Sequence, residues 1–338
     1  MFNEMSIHKK NLINNIKQVK FENPNSKVCA MVKANAYGVG VKEVVQILEP
    51  YVDYFGVACF FEAQMLKKTT NKKILIVGAL EFGDIDETFS YSCSSLQDVE
   101  YLISLKKQLN VHLKVNTGMN RFGFKNIKSF KKALNLISHS MLNIEGIFTH
   151  FATCDEFVNE QTKRFKRFIR IVNDFGYFPI IHADNSSVNE KYNHYFDMVR
   201  IGFNLYNKSD GWFLPIVEIK SNIVQIHKVK KNELVGYNYR CVADKNMKIA
   251  IVPIGYADGF SLQCIGFNLL VKGVECKVLN VCMDCFMLDV SKVNIKKGEE
   301  IYLLNKFNSL TKYSKHIGIS EYEVMSRFSQ LRCKRVVI

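Results

Sequence analysis

The chain has 338 residues, of which 48% are hydrophobic and 23% charged, with 5 Pro and 18 Gly. That length points to two domains or one large barrel with an appendage, and the composition excludes collagen-like and low-complexity chains. The net charge of +14 speaks to solubility and anion attraction. Its lysines and arginines lie in small clusters among acids, which reads as solvated surface with no nucleic-acid partner. No run approaches the ~18 apolar residues of a membrane span, and MFNEMSIHKKNLINN lacks a signal-peptide core, so a cytoplasmic location is expected. Ten scattered cysteines read as reduced thiols rather than a disulfide framework. The one CxxC, Cys282 to Cys285, lies between two strand-like flanks and lacks a second ligand pair, so no metal site is expected.

In chain order, eight β-branched and aromatic runs predict strands at Val28 to Ala34, Tyr54 to Cys59, Ile74 to Ala79, Tyr91 to Ser95, Val111 to Asn116, Ile144 to His150, Ile180 to Asn185 and Phe196 to Gly202. Segments between them, including Val41 to Tyr51, Leu96 to Leu109, Ile127 to Ser140 and Glu160 to Phe175, carry apolar residues at helical spacing. Eight alternating units over about 200 residues predict a (β/α)8 barrel. After Asp210-Gly211, runs such as IVEIKSNIVQIHKV and NLLVKGVECKVLNVCM predict a smaller, mainly antiparallel β domain. The expected division is 1–215 and 216–338.

Chemistry in such barrels sits at the carboxyl ends of the strands. Those ends carry Lys33, Lys114 with Asn116, His150, Asn185 with Ser186, and Arg200. Lys33 follows Cys-Ala-Met-Val, and desolvation by such walls favours the neutral amine that a Schiff-base lysine requires. Arg200-Ile-Gly202-Phe203 offers backbone amides of a phosphate-binding kind, and Ser186 adds a hydroxyl. An amine at the first strand and a phosphate site at the last suit pyridoxal phosphate (PLP).

Residues 28 to 38, VCAMVKANAYG, resemble the PLP-attachment signature of alanine racemases. The resemblance continues through KVNTGMNRFGF (Lys114 to Phe124), GIFTHFATCDE (Gly146 to Glu156), HADNS (His182 to Ser186), VRIGFNLY (Val199 to Tyr206), VGYNY (Val235 to Tyr239), PIGYADGF (Pro253 to Phe260) and VCMD (Val281 to Asp284). It implies a PLP-dependent isomerase that interconverts L- and D-alanine and supplies D-alanine for peptidoglycan. It also implies a homodimer whose active site joins the barrel of one subunit to the β domain of the other.

Carried over residue by residue, the resemblance makes Lys33 the attachment lysine and one catalytic base, and Tyr237 the opposing base from the partner subunit. Racemisation needs a proton acceptor on one face of Cα and a donor on the other. His150 matches the histidine near the cofactor ring, and Arg200 the contact to the pyridine nitrogen. Tyr37, Ser186, Gly202 and Phe203 match phosphate contacts. Arg121 and Met283 match the substrate carboxylate site, with Tyr256 and Asp284 lining the entry. Lys114 matches a lysine that some members carbamylate.

Departures from the family pattern are Asn116 for Asp, Val39 for His, Asn238 for Gly, and Asp184 for Ala. The alternatives are a serine or broader amino-acid racemase and a non-catalytic PLP-binding protein. The last typically lacks a β domain.

Overall fold

The computed structural model describes residues 2–152, 156–183, 196–206, 212–238, 241–328 and 331–338. Seventeen strands follow in chain order among these residues: β1 (Glu4–Ile7), β2 (Lys27–Met31), β3 (Tyr54–Val57), β4 (Lys73–Ile76), β5 (Phe89–Cys93), β6 (Leu109–Lys114), β7 (Leu142–Phe148), β8 (Ile180–His182), β9 (Met198–Ile201), β10 (Val217–Asn222), β11 (Gln225–Val229), β12 (Met247–Val252), β13 (Asn268–Val271), β14 (Val274–Val281), β15 (Phe286–Asp289), β16 (Glu300–Leu304) and β17 (Lys334–Val337).

The chain divides into two compact units. One comprises Ile13–Ala34 and Val41–Leu205; the other comprises Met1–Leu12, Asn35–Gly40 and Tyr206–Ile338. The first holds an eight-stranded parallel sheet in the order β8-β7-β6-β5-β4-β3-β2-β9. This is the expected barrel, nearly closed, with each of the eight predicted runs contributing one strand.

Burial explains the sequence pattern. All of β3, β5 and β9 is buried, as parallel strands covered on both faces must be; β3 is a continuous run without charged or hydroxyl-aliphatic residues, whereas β5 buries Ser90 and Ser92 and β9 buries Arg200. Two of the amphipathic barrel helices start on built caps. Ser95 opens Leu96–Ser104 with a capping box to Asp98, and the Asn126 side chain accepts from the Lys128 and Ser129 amides at the start of Ile127–Ile137. The first of these helices ends at Ser104, short of the expected Leu109, because Leu109 opens β6.

The second unit contains two sheets. One runs β16-β10-β1-β17 and the other β11-β12-β15-β14-β13. The strand β1 pairs antiparallel with β10 and parallel with β17, so the first residues of the chain belong with its last. The division therefore departs from the expected cut after residue 215: residues 1–12 and 35–40 fall in the β unit because β1 fills a place between β10 and β17. This unit also carries the helices Leu310–Ile317 and Glu321–Arg327, which the sequence reading had as β texture. Ser309 and Ser320 cap their starts, and Gly318 stops the first in a left-handed conformation. Among the described residues no helix is long and apolar enough to cross a membrane.

Inside the barrel, Gly146 lies against the fully buried His112 ring. A Cβ there would lie 2.0 Å from His112 Nδ1. Gly146→Ala is expected to force the ring out of place and destabilise the barrel by about 1–3 kcal/mol, read as a lowered melting temperature.

Candidate active site

The strand β9 brings Arg200, 5% exposed, into the barrel. Its NH1 donates to His182 Nδ1 at 2.6 Å, and its NH2 donates to the carbonyls of Thr149 (2.8 Å) and Ala183 (3.1 Å). A guanidinium can only donate, so His182 Nδ1 accepts and its proton sits on Nε2. That proton is given to His112 Nδ1 at 2.8 Å, and His112 Nε2 gives its own to Glu145 Oε2 at 3.1 Å. Glu145 also accepts from Tyr54, Lys73 and Ser90.

Both histidines are neutral in this chain of bonds. Burial lowers them, and Arg200 lowers both further. Burial works to raise Glu145, but the bonds from His112, Lys73 and Ser90 hold it well below the usual carboxylate range. Sequence reasoning missed His112, Glu145 and His182 as a unit. Two of them, His112 and His182, stood in plain view as polar residues among the apolar positions of the strand runs VHLKVN and IIHADN.

Four cations share this part of the barrel unit. Burial lowers the Lys33 amine, and Arg121 and Arg200 lower it further, while Glu62 alone among the leading influences raises it. Lys114, at the end of β6, is lowered to about 7 by burial, then by Arg200, Arg121 and Lys33. Its Nζ donates to Val77 O at 2.8 Å and lies 4.8 Å and 5.2 Å from the Phe122 and Phe148 ring centres. Burial and the same cations lower His150 to about 3. Arg121 sits on a loop pinned to the end of β6 by Asn116 N donating to Phe124 O and Phe124 N donating to Lys114 O. Lys33, Lys114, Arg121, His150 and Arg200 thus come together as expected. Gly202 accepts from the Leu205 amide, and Phe203, which is buried, opens the helical turn after β9. Ser186 lies outside the described residues.

The backbone after Lys33 is unusual. Ala34, Asn35, Ala36 and Tyr37 all have φ between +51° and +57°, a left-handed turn costing about 1–2 kcal/mol per residue. Glu62 braces its start, accepting from the amides of Ala34 and Ala58, both at 2.7 Å.

The β unit holds the other candidates. The Tyr37 ring lies 5.3 Å from Tyr206 and 6.4 Å from Tyr322. Tyr237 is 69% exposed, between Gly236 (φ +77°) and Asn238 (φ +58°). Buried Asn280 fixes that loop, donating to the carbonyls of Val235 (3.0 Å) and Tyr237 (3.3 Å). A Cβ on Gly236 would lie 2.5 Å from the Asn280 amide, so glycine fits there on two counts.

Met283 and Asp284 are exposed at the turn joining β14 to β15. The Tyr256 and Ala257 amides donate to Cys282 O and Met283 O, both at 3.0 Å, which ties the Tyr256 segment to that turn. Buried Asp258 pairs through both oxygens with Arg332, at 2.7 and 2.9 Å.

Family models for the alanine racemase N-terminal domain and C-terminal domain match residues 7–210 and 216–337. The chain belongs to the alanine racemase family. It is 34% identical over 325 residues to the alanine racemase of Fusobacterium nucleatum, covering 89% of this chain and 90% of that one. Its structure is similar to that of the Clostridium difficile alanine racemase (TM-score 0.91, 30% identity, covering 100% of this chain and 96% of that one). It is also similar to the Bacillus anthracis alanine racemase with bound L-Ala-P (TM-score 0.92, 27% identity, 99% and 95% covered). Within the family, Asn116 here accepts the Gly118 and Asn120 amides through Oδ1, both at 3.1 Å. An amide oxygen therefore suffices to fold that loop.

The neutral buried histidines set a pH dependence. Unfolding returns His112, His150 and His182 to a pKa of about 6.5, where they take up protons that the folded barrel refuses. Folding stability is therefore expected to fall as pH drops below about 6.5, by up to ~1.4 kcal/mol per pH unit for each histidine. Denaturant titrations from pH 7.5 to 5 check this, and His182→Gln should lower the slope by about one histidine's share.

Proposed function

We propose that the chain is an alanine racemase, a PLP-dependent isomerase that interconverts L- and D-alanine. The observation that carries this reading is the convergence of Lys33, Lys114, Arg121 and Arg200, close enough that each arginine lowers both lysines. Such a donor set fits a cofactor with a dianionic phosphate and a substrate with a carboxylate. The family depends on PLP. When bound, PLP supplies an aldehyde that takes up the amino group and a ring that withdraws electrons from the Cα–H bond.

In this reading Lys33 would hold the aldehyde carbon. Burial and the neighbouring arginines push its pKa down, which favours the neutral amine, and Nζ would accept a Cα proton from one face of the amino acid. The Tyr237 hydroxyl, supplied by the partner subunit of a homodimer, returns a proton to the opposite face. The exposure of Tyr237, Met283 and Tyr256 on the β unit, at 69%, 59% and 44%, suits groups that complete a neighbour's site. Tyr37, Ser186 and the backbone at Gly202 and Phe203 would hold the phosphate.

Arg200 would face the pyridine nitrogen. Its guanidinium stays charged, and His182 receives its hydrogen bond without receiving a proton, so Arg200 donates a hydrogen bond and keeps its own proton. That weakens the ring as an electron sink and favours racemisation over transamination. His150, neutral in this environment, would sit beside the ring. Arg121 and the Met283 segment would hold the substrate carboxylate, with Tyr256 and Asp284 at the entry.

Lys114, lowered to about 7, is poised for reaction of its neutral amine with carbon dioxide, giving a carbamate and a proton. The carbamate would supply the anion that Arg121 lacks. Acting in the cytoplasm, the enzyme would provide D-alanine for peptidoglycan.

The test follows circular dichroism of L- and D-alanine in deuterium oxide. Tyr237→Phe is expected to reduce racemisation by about 10²–10⁴-fold while leaving solvent exchange of the enantiomer served by Lys33. Lys33→Ala should lose both, together with the visible PLP absorption. Racemisation undiminished in Tyr237→Phe overturns the two-base assignment, and faster turnover of serine than of alanine overturns the substrate.

A further inference from the structure

The outer side of the Arg121 loop borders a second cavity within the barrel unit, of about 410 Å³, large enough for a small organic molecule. Three cations line it: Lys125, Arg164 and Arg167. Arg164 is fixed in place. Its Nε donates to Glu160 at 3.1 Å, its NH1 donates to Thr117 O at 3.2 Å, and its guanidinium lies 5.7 Å from the Phe157 ring centre. Glu160 offsets that one charge. Lys125 and Arg167 form no ion pair with any described residue.

The floor is apolar, formed by Phe157 and Phe168. Gly118 closes against it so tightly that a Cβ there would lie 2.9 Å from the Phe157 ring. The lining is therefore rich in donors, carries a net positive charge, and has an aromatic wall. The ligand chemistry that satisfies all three is a small organic dianion, its charges against Arg164, Arg167 and Lys125 and its body on Phe157.

Asn116 connects this cavity to another of about 320 Å³ that Arg121 lines, because Asn116 borders both. Its Oδ1 organises the loop through the Gly118 and Asn120 amides, and its main-chain N–H holds Phe124 O. A ligand against Lys125 and Arg167 presses on the segment whose far side presents Arg121.

We propose that this cavity is an effector site for a small organic dianion, a phosphate monoester or a dicarboxylate, whose occupancy is transmitted through the Asn116 loop to Arg121. The binding stands on the cavity alone. The transmission rests on the reading of Arg121 as a carboxylate contact.

Isothermal titration of the PLP-loaded enzyme with phenyl phosphate and with succinate, at low salt, tests the site and distinguishes the two sources. Saturable binding of one probe is expected, retained under saturating alanine with its affinity shifted by a factor comparable to the shift in KM, and weakened at least tenfold in the double variant Lys125→Glu, Arg167→Glu. Both positions are solvent-exposed, so that variant should keep its melting temperature and its basal kcat. Absence of saturable binding, equal binding by the variant, or displacement by alanine overturns the site. Bound probe should change KM for alanine in the wild type and not in the variant. An unchanged KM with intact binding overturns the transmission and leaves a binding site, whereas loss of all racemase activity in the wild type overturns the functional reading instead.

Discussion

The barrel unit depends on how its seam is closed. Seven neighbouring strand pairs are zipped by backbone ladders, and β8 and β9 stand at the two ends of that order. What spans them is a side chain. Arg200 reaches from β9 to His182 Nδ1 and Ala183 O on the β8 side and on to Thr149 O after β7, while Asp197 accepts the Ile181 amide at 2.8 Å. A buried guanidinium is costly unless its donors are met. Here they meet a neutral histidine and two carbonyls, and the polarity ends at Glu145 and its partner Lys73 near the surface.

That choice of closure sets the electrostatics at the carboxyl ends of the strands. The cation that closes the seam also lowers Lys33, Lys114, His150 and His182. Burial is the larger cause in each case; Arg200 adds to all four, and Arg121 adds for Lys33, Lys114 and His150. The result is a group of amines and imidazoles biased toward their neutral forms in surroundings that still attract anions. The two properties are opposed for an isolated lysine, because burial deep enough to neutralise it also removes its pull on a carboxylate. Arginines resolve the conflict, since they hold the charge while the lysines yield theirs.

Much of this was legible in the sequence. All eight barrel strands stood out as short β-branched or aromatic runs, most of them apolar because parallel strands are buried on both faces, and Lys33, Lys114, His150 and Arg200 lie at or near the ends of those runs. The β1 pairing was not legible: Glu4–Ile7 is a short run whose partners lie at the other end of the chain, and no local pattern encodes so distant a match. The helices Leu310–Ile317 and Glu321–Arg327 were overlooked although Ser309, Gly318 and Ser320 marked their ends, because flanking strand texture outweighed short periodic segments. The His182–His112–Glu145 chain was hidden for another reason. Its members are buried or half-buried polar residues on the neighbouring strands β6, β7 and β8, and only the pairing of those strands brings them within hydrogen-bonding distance.

The place of β1 has a consequence for how the chain is made. The Asn3 side chain donates to Arg332 O, 329 residues away, and Lys334 to Val337 zip onto Glu4 to Ile7. On a ribosome adding ~5–20 residues per second, the first strand emerges and then waits roughly 15–65 s for its parallel partner. Until the last segment leaves the tunnel, one edge of β1 offers bare amides and carbonyls to any other extended strand. The C-terminal residues therefore act as the latch of the molecule. A chain broken off before Lys334 carries its whole barrel sequence together with an adhesive edge at β1.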